Sequence, residues 1–283
     1  MYKDEVDFID TYGDSGDGQT MGLEIPELDC RHERRRILRF IREIVEGAGA
    51  EGVVLGLSGG VDSCVSAALC VEALGSSRVL GLIMPTGFTP REDVEDALWL
   101  AEEYGIRTKR IDLDPIVEEI LKRVDGGMDA PKVALGNLRA RTRMILNYYF
   151  ANMEDRLVVG TGDLSEYLLG YFTKFGDGAA DFYPILHLFK SEVRRLGRSL
   201  GLPERLAGKP SSPQLWPGHR ARDELPADYE TMDPILYRLF ILGLTPERVA
   251  EETNTSLQLV REILDRHRST QHKRDPGPRL ERV

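Results

Sequence analysis

Short apolar runs alternate with longer amphipathic stretches over residues 31–160. The first amphipathic stretch repeats apolar residues at three- and four-residue spacing, as in Ile37, Leu38 and Ile41, which is typical of a helix with one buried face. The apolar runs are uninterrupted, which is typical of parallel strands buried on both faces. The pattern predicts strands at about 53–57, 79–84, 107–111 and 157–160, and helices at about 31–47, 64–74, 91–104, 115–124 and 132–153.

This alternation predicts an α/β fold: a doubly wound, mostly parallel sheet with helices on both faces. Two more amphipathic helices are expected near the C-terminus, over 245–267. Asp114 is expected as the N-cap of the helix that Pro115 opens. Ligands bind at the carboxyl ends of the strands in such sheets. Three polar, glycine-bearing turns are expected at that edge, at 58–63, 85–88 and 161–166.

The charge is distributed unevenly along the chain. The formal net charge is −10, but residues 1–29 hold nine acidic residues and a single lysine, so the remainder is close to neutral. We therefore predict an acidic flexible extension over 1–29, one folded domain over 30–275 and a short tail over 276–283. A nearly neutral body leaves room for a local positive site that binds polyanionic substrates, although the total charge is acidic.

Composition also excludes several classes of protein. The acidic balance argues against a dedicated nucleic-acid binder, and no apolar run approaches the length of a membrane span. The acidic N-terminus has no apolar core, so we predict no signal peptide. Cys30, Cys64 and Cys70 are odd in number and show no CxxC spacing, which predicts a reducing cytoplasm and neither a disulfide framework nor a zinc site. Cys64 and Cys70 lie in an apolar helical stretch, where we expect them to fill the core.

The turn Ser58–Ser63, with the sequence SGGVDS, joins a predicted strand to a predicted helix. A lone glycine pair would favour a tight turn that serves packing alone. Between a strand and a helix, however, glycines allow the backbone to approach a ligand, and the N–H groups with the helix N-terminus form an anion cradle. The Ser58 and Ser63 hydroxyls are further candidate donors, and Asp62 could hold Mg²⁺ beside bound phosphates. The turn is neither a Walker A loop nor a GxGxxG fingerprint. It resembles the PP-loop of the ATP pyrophosphatases, which cleave ATP between the α- and β-phosphates.

Residues 160–190 concentrate aromatic, glycine and charged residues beyond what a core requires. Each charge taken alone would more often be a solvated surface group, but together at the ligand edge they predict a site. Glu166 could supply a second carboxylate for Mg²⁺. Lys174 and Lys190 are candidate anion contacts, and Asp177 and Asp181 could hydrogen-bond sugar hydroxyls or an amine.

The segments LGLSGGVDS, GNLRARTRM, GTGDLSEYLLGYFTKFGDGAADFYPI, LFKSEVRRLG, KPSSPQLWPG and QHKR follow one another in the order found in the NAD synthetase family, which the chain resembles from about Arg31 to Lys273. The resemblance implies an adenine-nucleotide α-hydrolase-like fold. It also implies a ligase that amidates deamido-NAD with ammonia and ATP, releasing NAD, AMP and pyrophosphate through an NAD-adenylate, as the last step of NAD biosynthesis. Mg²⁺ and a homodimer are implied as well.

The resemblance also implies roles for individual residues. ATP would be bound by Gly56, Leu57, Ser58, Gly59, Gly60, Val61, Asp62, Ser63, Thr161, Lys190 and Ser212; deamido-NAD by Arg141, Lys174, Asp177, Asp181, His272 and Lys273; and Mg²⁺ by Asp62 and Glu166. Asp177, at the nicotinate end, and Lys190 would be the catalytic residues. His272 and Lys273 would reach across the dimer interface. Ser212 stands where threonine is frequent, and Asp163, where related sequences have Asn or Asp, receives no role.

Length bears on the source of nitrogen. Glutamine-dependent relatives carry an additional amidase domain with a cysteine nucleophile, and 283 residues leave no room for one beside a complete α/β enzyme. We therefore expect ammonia as the donor, either free or delivered by a separate subunit.

Three other functions compete with this interpretation. A tRNA-modifying PP-loop enzyme would be expected to bring a basic RNA-binding domain and often a cysteine pair. A nucleic-acid-binding regulator is suggested by 245–267, which imitates a helix-turn-helix, although two helices at a dimer edge explain that segment better. A non-catalytic nucleotide sensor would bind ATP without releasing pyrophosphate.

Overall fold

A parallel β-sheet forms the centre of the molecule. The computed structural model describes residues 25–124, 129–275, 277 and 280. Within these residues the strands are β1 (Gly52–Gly56), β2 (Val79–Ile83), β3 (Arg107–Arg110) and β4 (Arg156–Val158), and their order in the sheet is β3-β2-β1-β4. All three pairings are parallel. Since the chain starts at the central strand and winds outward in both directions, the predicted doubly wound sheet is confirmed.

Helices cover both faces of this sheet. In chain order they are α1 (Cys30–Gly47), α2 (Val61–Leu74), α3 (Arg91–Glu103), α4 (Asp114–Arg123), α5 (Lys132–Met153), α6 (Leu164–Leu169), α7 (Lys190–Ser199), α8 (Glu204–Ala207), α9 (Tyr229–Leu236), α10 (Pro246–Thr253), α11 (Leu257–Ser269) and α12 (Gln271–Arg274). No helix in the described ranges is both long and apolar enough to cross a bilayer.

The apolar residues form separate clusters on the two sides of the sheet. Residues of α1, α2 and α7 pack on one face, and residues of α4 and α5 pack on the other. A further cluster lies among α9, α10 and α11, beside α6. Helix α2 is buried almost all round, so Cys64 and Cys70 fill the core as predicted. Burial raises the pKa of each thiol to about 12, which removes thiolate reactivity near neutral pH.

The element ends lie within three residues of the sequence prediction, and two of the differences have a visible structural cause. The N-cap of α4 is Leu113, and Asp114 lies inside the helix. The Asp114 carboxylate instead accepts the Gly87 N–H at 2.6 Å, so it holds the turn after β2 rather than its own helix. Strand β4 ends at Val158, and Val159 continues only as a single bridge to Phe182. In both places a contact distant in sequence replaces the local pattern.

The predicted acidic extension, 1–29, lies mostly outside the described residues. Its last five residues are described, and they belong to the folded body. Ile25 is buried in the C-terminal helical cluster, and Asp29 caps α1 by accepting the N–H groups of Arg31 and His32. Residues 25–29 are therefore tied to the folded body by an apolar side chain and a helix cap.

Candidate active site

The glycine turn connects β1 to α2 with a backbone that only glycine adopts readily. Gly59 has φ +76°, and a Cβ at this position would lie 2.2 Å from the Asp93 main-chain oxygen. The Ser63 hydroxyl donates to the Gly60 carbonyl at 3.0 Å, and the Ser58 hydroxyl accepts the Gly60 N–H at 3.2 Å. The two hydroxyls are also 3.0 Å apart. The serine hydroxyls therefore shape the turn itself, leaving the first N–H groups of α2 to face a ligand.

A cavity of about 1380 Å³ opens at the carboxyl edge of the sheet beside this turn. That volume exceeds the roughly 300–1,000 Å³ of a pocket for one small ligand, so it can hold two substrates. Of the predicted site residues, it is lined by Gly56, Leu57, Ser58, Gly60, Val61, Asp62, Ser63, Thr161, Glu166, Asp177, Ser212 and Lys273. The structure thus brings most of the predicted ATP-binding residues to one place.

Three carboxylates and one lysine, which we call the inner cluster, meet next to the glycine turn. Lys190 opens α7, and its ammonium lies 2.7 Å from Asp62 Oδ2, 2.6 Å from Asp163 Oδ2 and 2.8 Å from Glu166 Oε1. The side chains of Lys190 and Asp163 are 0% exposed. Asp62 comes from α2, whereas Asp163 and Glu166 come from the start of α6. The N-termini of α2, α6 and α7 therefore meet at the buried ammonium of Lys190.

Burial and mutual repulsion set the electrostatics of the inner cluster. Burial raises the pKa of Asp163 well above its usual range, although Lys190 opposes the shift. Burial likewise raises the pKa of Glu166 to about 7. Burial alone would lower the pKa of Lys190, but the charges of the three carboxylates outweigh it and hold the ammonium protonated.

The donor set of the inner cluster fits a divalent cation. Oxygens of Asp62, Asp163 and Glu166 lie within 4.8 Å of one another. Asp62 Oδ1 is buried and accepts no hydrogen bond from the part of the chain that the structure describes. A bound divalent cation would favour the ionised forms of all three carboxylates, whose three negative charges exceed the single positive charge of Lys190. Hard carboxylate oxygens with excess negative charge are the ligands that Mg²⁺ prefers.

A second layer of hydrogen bonds fixes the backbone around Lys190. Asp233 of α9 accepts the Ser165 hydroxyl at 2.6 Å and the Ser191 N–H at 2.8 Å. Ser165 in turn accepts the Lys190 N–H at 2.9 Å. These bonds tie the N-termini of α6 and α7 to the C-terminal helices, so the cluster is preorganised by buried groups.

Asp177 and Lys273 lie on the other side of the cavity. Asp177 is exposed on the cavity wall, and desolvation by the surrounding protein raises the pKa of its carboxyl. It accepts the Thr173 N–H at 3.0 Å. Lys273 donates to the Gly170 and Phe172 carbonyls at 2.7 and 2.8 Å, which holds α12 against the loop after α6. In the single chain, Lys273 therefore lines the cavity of its own subunit.

The other predicted dinucleotide contacts, Arg141, Lys174, Asp181 and His272, do not line this cavity, and we call them the outer group. Arg141 donates to the Lys174 carbonyl at 3.2 and 3.3 Å, and the Lys174 ammonium donates to the His272 carbonyl. Asp181 accepts the Val158 N–H at 2.7 Å and the Tyr148 hydroxyl at 3.2 Å. Their polar atoms thus contact mainly main-chain groups.

Sequence reasoning missed residues that the structure brings to the site. Asp163 caps α6 by accepting the Glu166 N–H at 2.8 Å, and the D-x-x-E spacing was a visible capping signal. Arg143 of α5 lines the cavity, whereas Arg141, two residues earlier, lies on another face of the same helix. Within the described residues Arg143 forms no ion pair; it donates to the Met84 carbonyl at 3.4 Å, and burial lowers its pKa to about 10.

Comparison with known proteins identifies the family to which the chain belongs. A family model described as NAD synthase matches residues 33–277. The chain is 53% identical over 256 residues to an NH₃-dependent NAD⁺ synthetase of Hyperthermus butylicus, which covers 90% of this chain and 92% of the relative.

Two solved structures are similar over nearly the whole domain. An NH₃-dependent NAD synthetase from Campylobacter jejuni, in complex with nitrate, superposes with a TM-score of 0.77 at 32% identity and covers 90% of this chain and 100% of its own. An NMN synthetase from Francisella tularensis superposes with a TM-score of 0.78, also at 32% identity, and covers 90% and 99% respectively.

Proposed function

The chain belongs to the NAD synthase family, and from that premise we propose which of its residues carry out the reaction. The resemblance drawn from the sequence motifs is confirmed. The reaction is the ATP-dependent amidation of deamido-NAD by ammonia, which gives NAD, AMP and pyrophosphate. The observation that carries the assignment of residues is the inner cluster, because it places a buried lysine and three carboxylates directly beside a phosphate-binding turn.

The first step joins the nicotinate carboxylate to the α-phosphorus of ATP and breaks the bond to the β-phosphate, so pyrophosphate leaves. The transition state spreads negative charge over the phosphate oxygens. The glycine turn, Gly56 to Ser63, offers N–H donors to the phosphates, and Thr161 and Ser212 line the same cavity. Lys190 is fully buried and its ammonium is engaged by Asp62, Asp163 and Glu166, so it acts on the reacting phosphate through its positive charge and not through a hydrogen bond.

Asp62 and Glu166 are the proposed Mg²⁺ ligands, and the geometry of the inner cluster adds Asp163 to them. The ion would neutralise phosphate charge during adenylation. Asp163 also caps α6, so it orients Glu166 within the same cluster. Lys190 keeps the carboxylates from repelling one another before the substrates bind.

The second step is attack of ammonia on the carbonyl carbon of the adenylate. A C–N bond forms, the bond to the phosphate oxygen breaks, and AMP leaves. Asp177 is the proposed group that positions ammonia and accepts its proton, because its carboxylate faces the cavity and desolvation raises its pKa, which makes it a stronger base than a solvated carboxylate. With preformed NAD-adenylate and ammonia, Asp177→Asn should slow NAD formation strongly, and normal turnover would remove Asp177 from this role.

We propose that deamido-NAD extends from the cavity to the outer group and that a homodimer completes this half of the site. The support is an exposed apolar stripe on α5, formed by Ile145, Tyr149 and Met153 at four-residue spacing, each more than half exposed. Such spacing places the three side chains on one helix face. Arg141 precedes the stripe on the same helix, so a second copy that covers the stripe would lie next to the outer group.

Two further parts of the proposal concern the whole chain. A cytoplasmic location is supported by the three cysteines, which are all free. We also keep the proposed division into an acidic extension, a catalytic domain to about residue 275 and a short C-terminal tail, with the start of the folded body moved to Ile25.

The assay that tests this function supplies ATP, Mg²⁺, deamido-NAD and ammonium, and measures NAD, AMP and pyrophosphate. Equal amounts of the three products are expected, and release of ADP instead of AMP would contradict the mechanism. Because one structural neighbour is an NMN synthetase, deamido-NMN serves as the competing substrate. We expect a higher kcat/KM with deamido-NAD, and preference for the mononucleotide would reassign the substrate.

A further inference from the structure

Lys209, in the segment that follows α8, reaches the glycine turn from outside the inner cluster. Its ammonium donates to the Gly59 carbonyl at 3.1 Å and to Asp96 Oδ2 at 2.6 Å, and it pairs with the Asp93 carboxylate. An ammonium has three N–H donors, and each has an acceptor here. Lys209 is therefore fully engaged with protein groups and has no donor left for a phosphate.

Gly59 is held from two directions by these contacts. The Asp93 main-chain oxygen fills the position of a Cβ on Gly59, at 2.2 Å, while the Asp93 side chain holds the lysine that binds the Gly59 carbonyl. The N–H of the same Gly59–Gly60 peptide donates to the Ser58 hydroxyl. Both polar ends of one peptide plane are thus fixed, in a turn whose glycines would otherwise be free to rotate.

The charges around Lys209 balance locally. Asp96 also accepts Arg205 Nε at 3.0 Å, so two basic side chains face two carboxylates that are mostly buried. Gln214 donates to Asp93 and closes the group. Burial alone would lower the pKa of Lys209, but hydrogen bonds and charges from Asp93 and Asp96 raise it instead, which keeps the ammonium charged.

We propose that Lys209 is a positioning residue for ATP: by holding the Gly59 carbonyl toward α3, it keeps that oxygen away from the triphosphate and lets the N–H groups of the turn converge on it. The proposal rests on the proposed function, since it assumes that the turn binds ATP. A carbonyl oxygen turned toward phosphate oxygens would repel them, whereas a fixed peptide plane costs no reorganisation when the ligand binds.

The test compares Lys209→Met with Arg205→Met. Arg205 is a matched control because it contacts the same carboxylate but not Gly59. Titration with α,β-methylene-ATP and Mg²⁺ should show about a tenfold weaker Kd for Lys209→Met, the loss of one charge-assisted hydrogen bond in the turn. The KM for ATP should rise in parallel and the KM for deamido-NAD should stay unchanged. Arg205→Met should match the wild type in all three constants, and Lys209→Arg should recover most of the affinity for ATP.

A charge-balanced variant keeps the test decisive if Lys209→Met folds poorly. Lys209→Met/Asp93→Asn removes one charge of each sign, and the introduced amide oxygen can still accept from Gln214. If this variant melts near the wild type but binds the ATP analogue about tenfold more weakly, the positioning role stands. Wild-type Kd in this variant, or an equal rise in both KM values, would overturn it. The ATP titration requires no amidation, so failure of the proposed function would show separately, as wild-type enzyme that makes no NAD.

Discussion

The inner cluster and the outer group contain similar residue types but differ in what holds them. Lys190 in the inner cluster is 0% exposed and contacts three carboxylates, so every partner is a side chain from the same chain. Arg141 and Lys174 in the outer group lie at the surface and donate to main-chain carbonyls. Buried charges must satisfy one another, because an unpaired one is costly. The inner cluster is therefore complete in one chain, and we expect the outer group to be completed by substrate and by the proposed second subunit.

The largest expected effect follows from removing the centre of the inner cluster. Lys190→Met should lower kcat by about a thousandfold, since it removes charge stabilisation from the adenylation step. It should also destabilise the Mg²⁺-free protein by about 3–5 kcal/mol, because three carboxylates then repel one another without a partner. Urea unfolding with and without Mg²⁺ checks this, and we expect the ion to restore part of the loss. An unchanged free energy of unfolding would show that the three carboxylates do not need Lys190 for stability.

The next effect concerns the proposed dimer. Ile145→Asp places a charge in the exposed stripe of α5, which should dissociate the dimer and lower kcat/KM for deamido-NAD by about a hundredfold. Binding of ATP should not change, because the inner cluster lies within one chain. Sedimentation velocity and steady-state kinetics test both parts. Leu98→Asp, at another exposed apolar residue, is the control and should leave both unchanged. A fully active monomer would show that the outer group, like the inner cluster, needs no second subunit.

A smaller effect is expected from a single residue of the outer group. Lys174→Met should raise the KM for deamido-NAD about tenfold, the loss of one contact between an ammonium and an anion, while kcat stays near the wild-type value. Stability should change by less than about 0.5 kcal/mol, since the side chain is not buried among charges. Parallel measurement of kcat and of the free energy of unfolding shows whether Lys174 acts only on binding. A large fall in kcat would place it with the inner cluster.

The smallest effect on activity is expected from Glu192, which supports the inner cluster from α7. Its carboxylate accepts the Phe189 N–H at 2.8 Å, and burial raises its pKa to about 7. A carboxyl whose pKa is higher in the folded state stabilises the protein below its usual pKa of 4.5, and this stabilisation is lost as the pH rises through about 7. Between about pH 5 and pH 8, the free energy of unfolding of the wild type should therefore fall by about 3 kcal/mol more than that of Glu192→Gln.

Urea unfolding of the Mg²⁺-free protein at several pH values measures this difference. Glu204→Gln is the control, because the Glu204 carboxyl is fully exposed and Arg198 lowers its pKa. That variant should keep the wild-type pH dependence. A Glu192→Gln curve parallel to the wild type would show that the α7 cap is ionised throughout.

Sequence reasoning predicted the parts of the site that are encoded locally. The glycine turn, its strand and its helix are continuous in the chain, so SGGVDS predicts the cradle and the place of Asp62 directly. Glu166 lines the cavity, as expected for a residue that follows a strand ending at the ligand edge. The fold class followed from the same local alternation of apolar strands and amphipathic helices.

The remaining parts depend on contacts between distant residues. Lys209 meets Gly59 across 150 positions, and no local pattern marks that pairing. Asp163 was given no role because related sequences have Asn or Asp at this position, and only the fold shows its carboxylate at Lys190. The sequence also did not predict which face of α5 lines the cavity. The structure places Arg143 on that face and Arg141 on another one.

The most direct test of the central claim measures the first step without ammonia. Wild-type enzyme, ATP, Mg²⁺ and deamido-NAD should release pyrophosphate and accumulate the dinucleotide adenylate, about one per active site. At saturating deamido-NAD, Lys174→Met should reach the wild-type rate, and Lys190→Met should form both products about a thousandfold more slowly. Pyrophosphate release by Lys190→Met at the wild-type rate would contradict the claim that the inner cluster carries out adenylation.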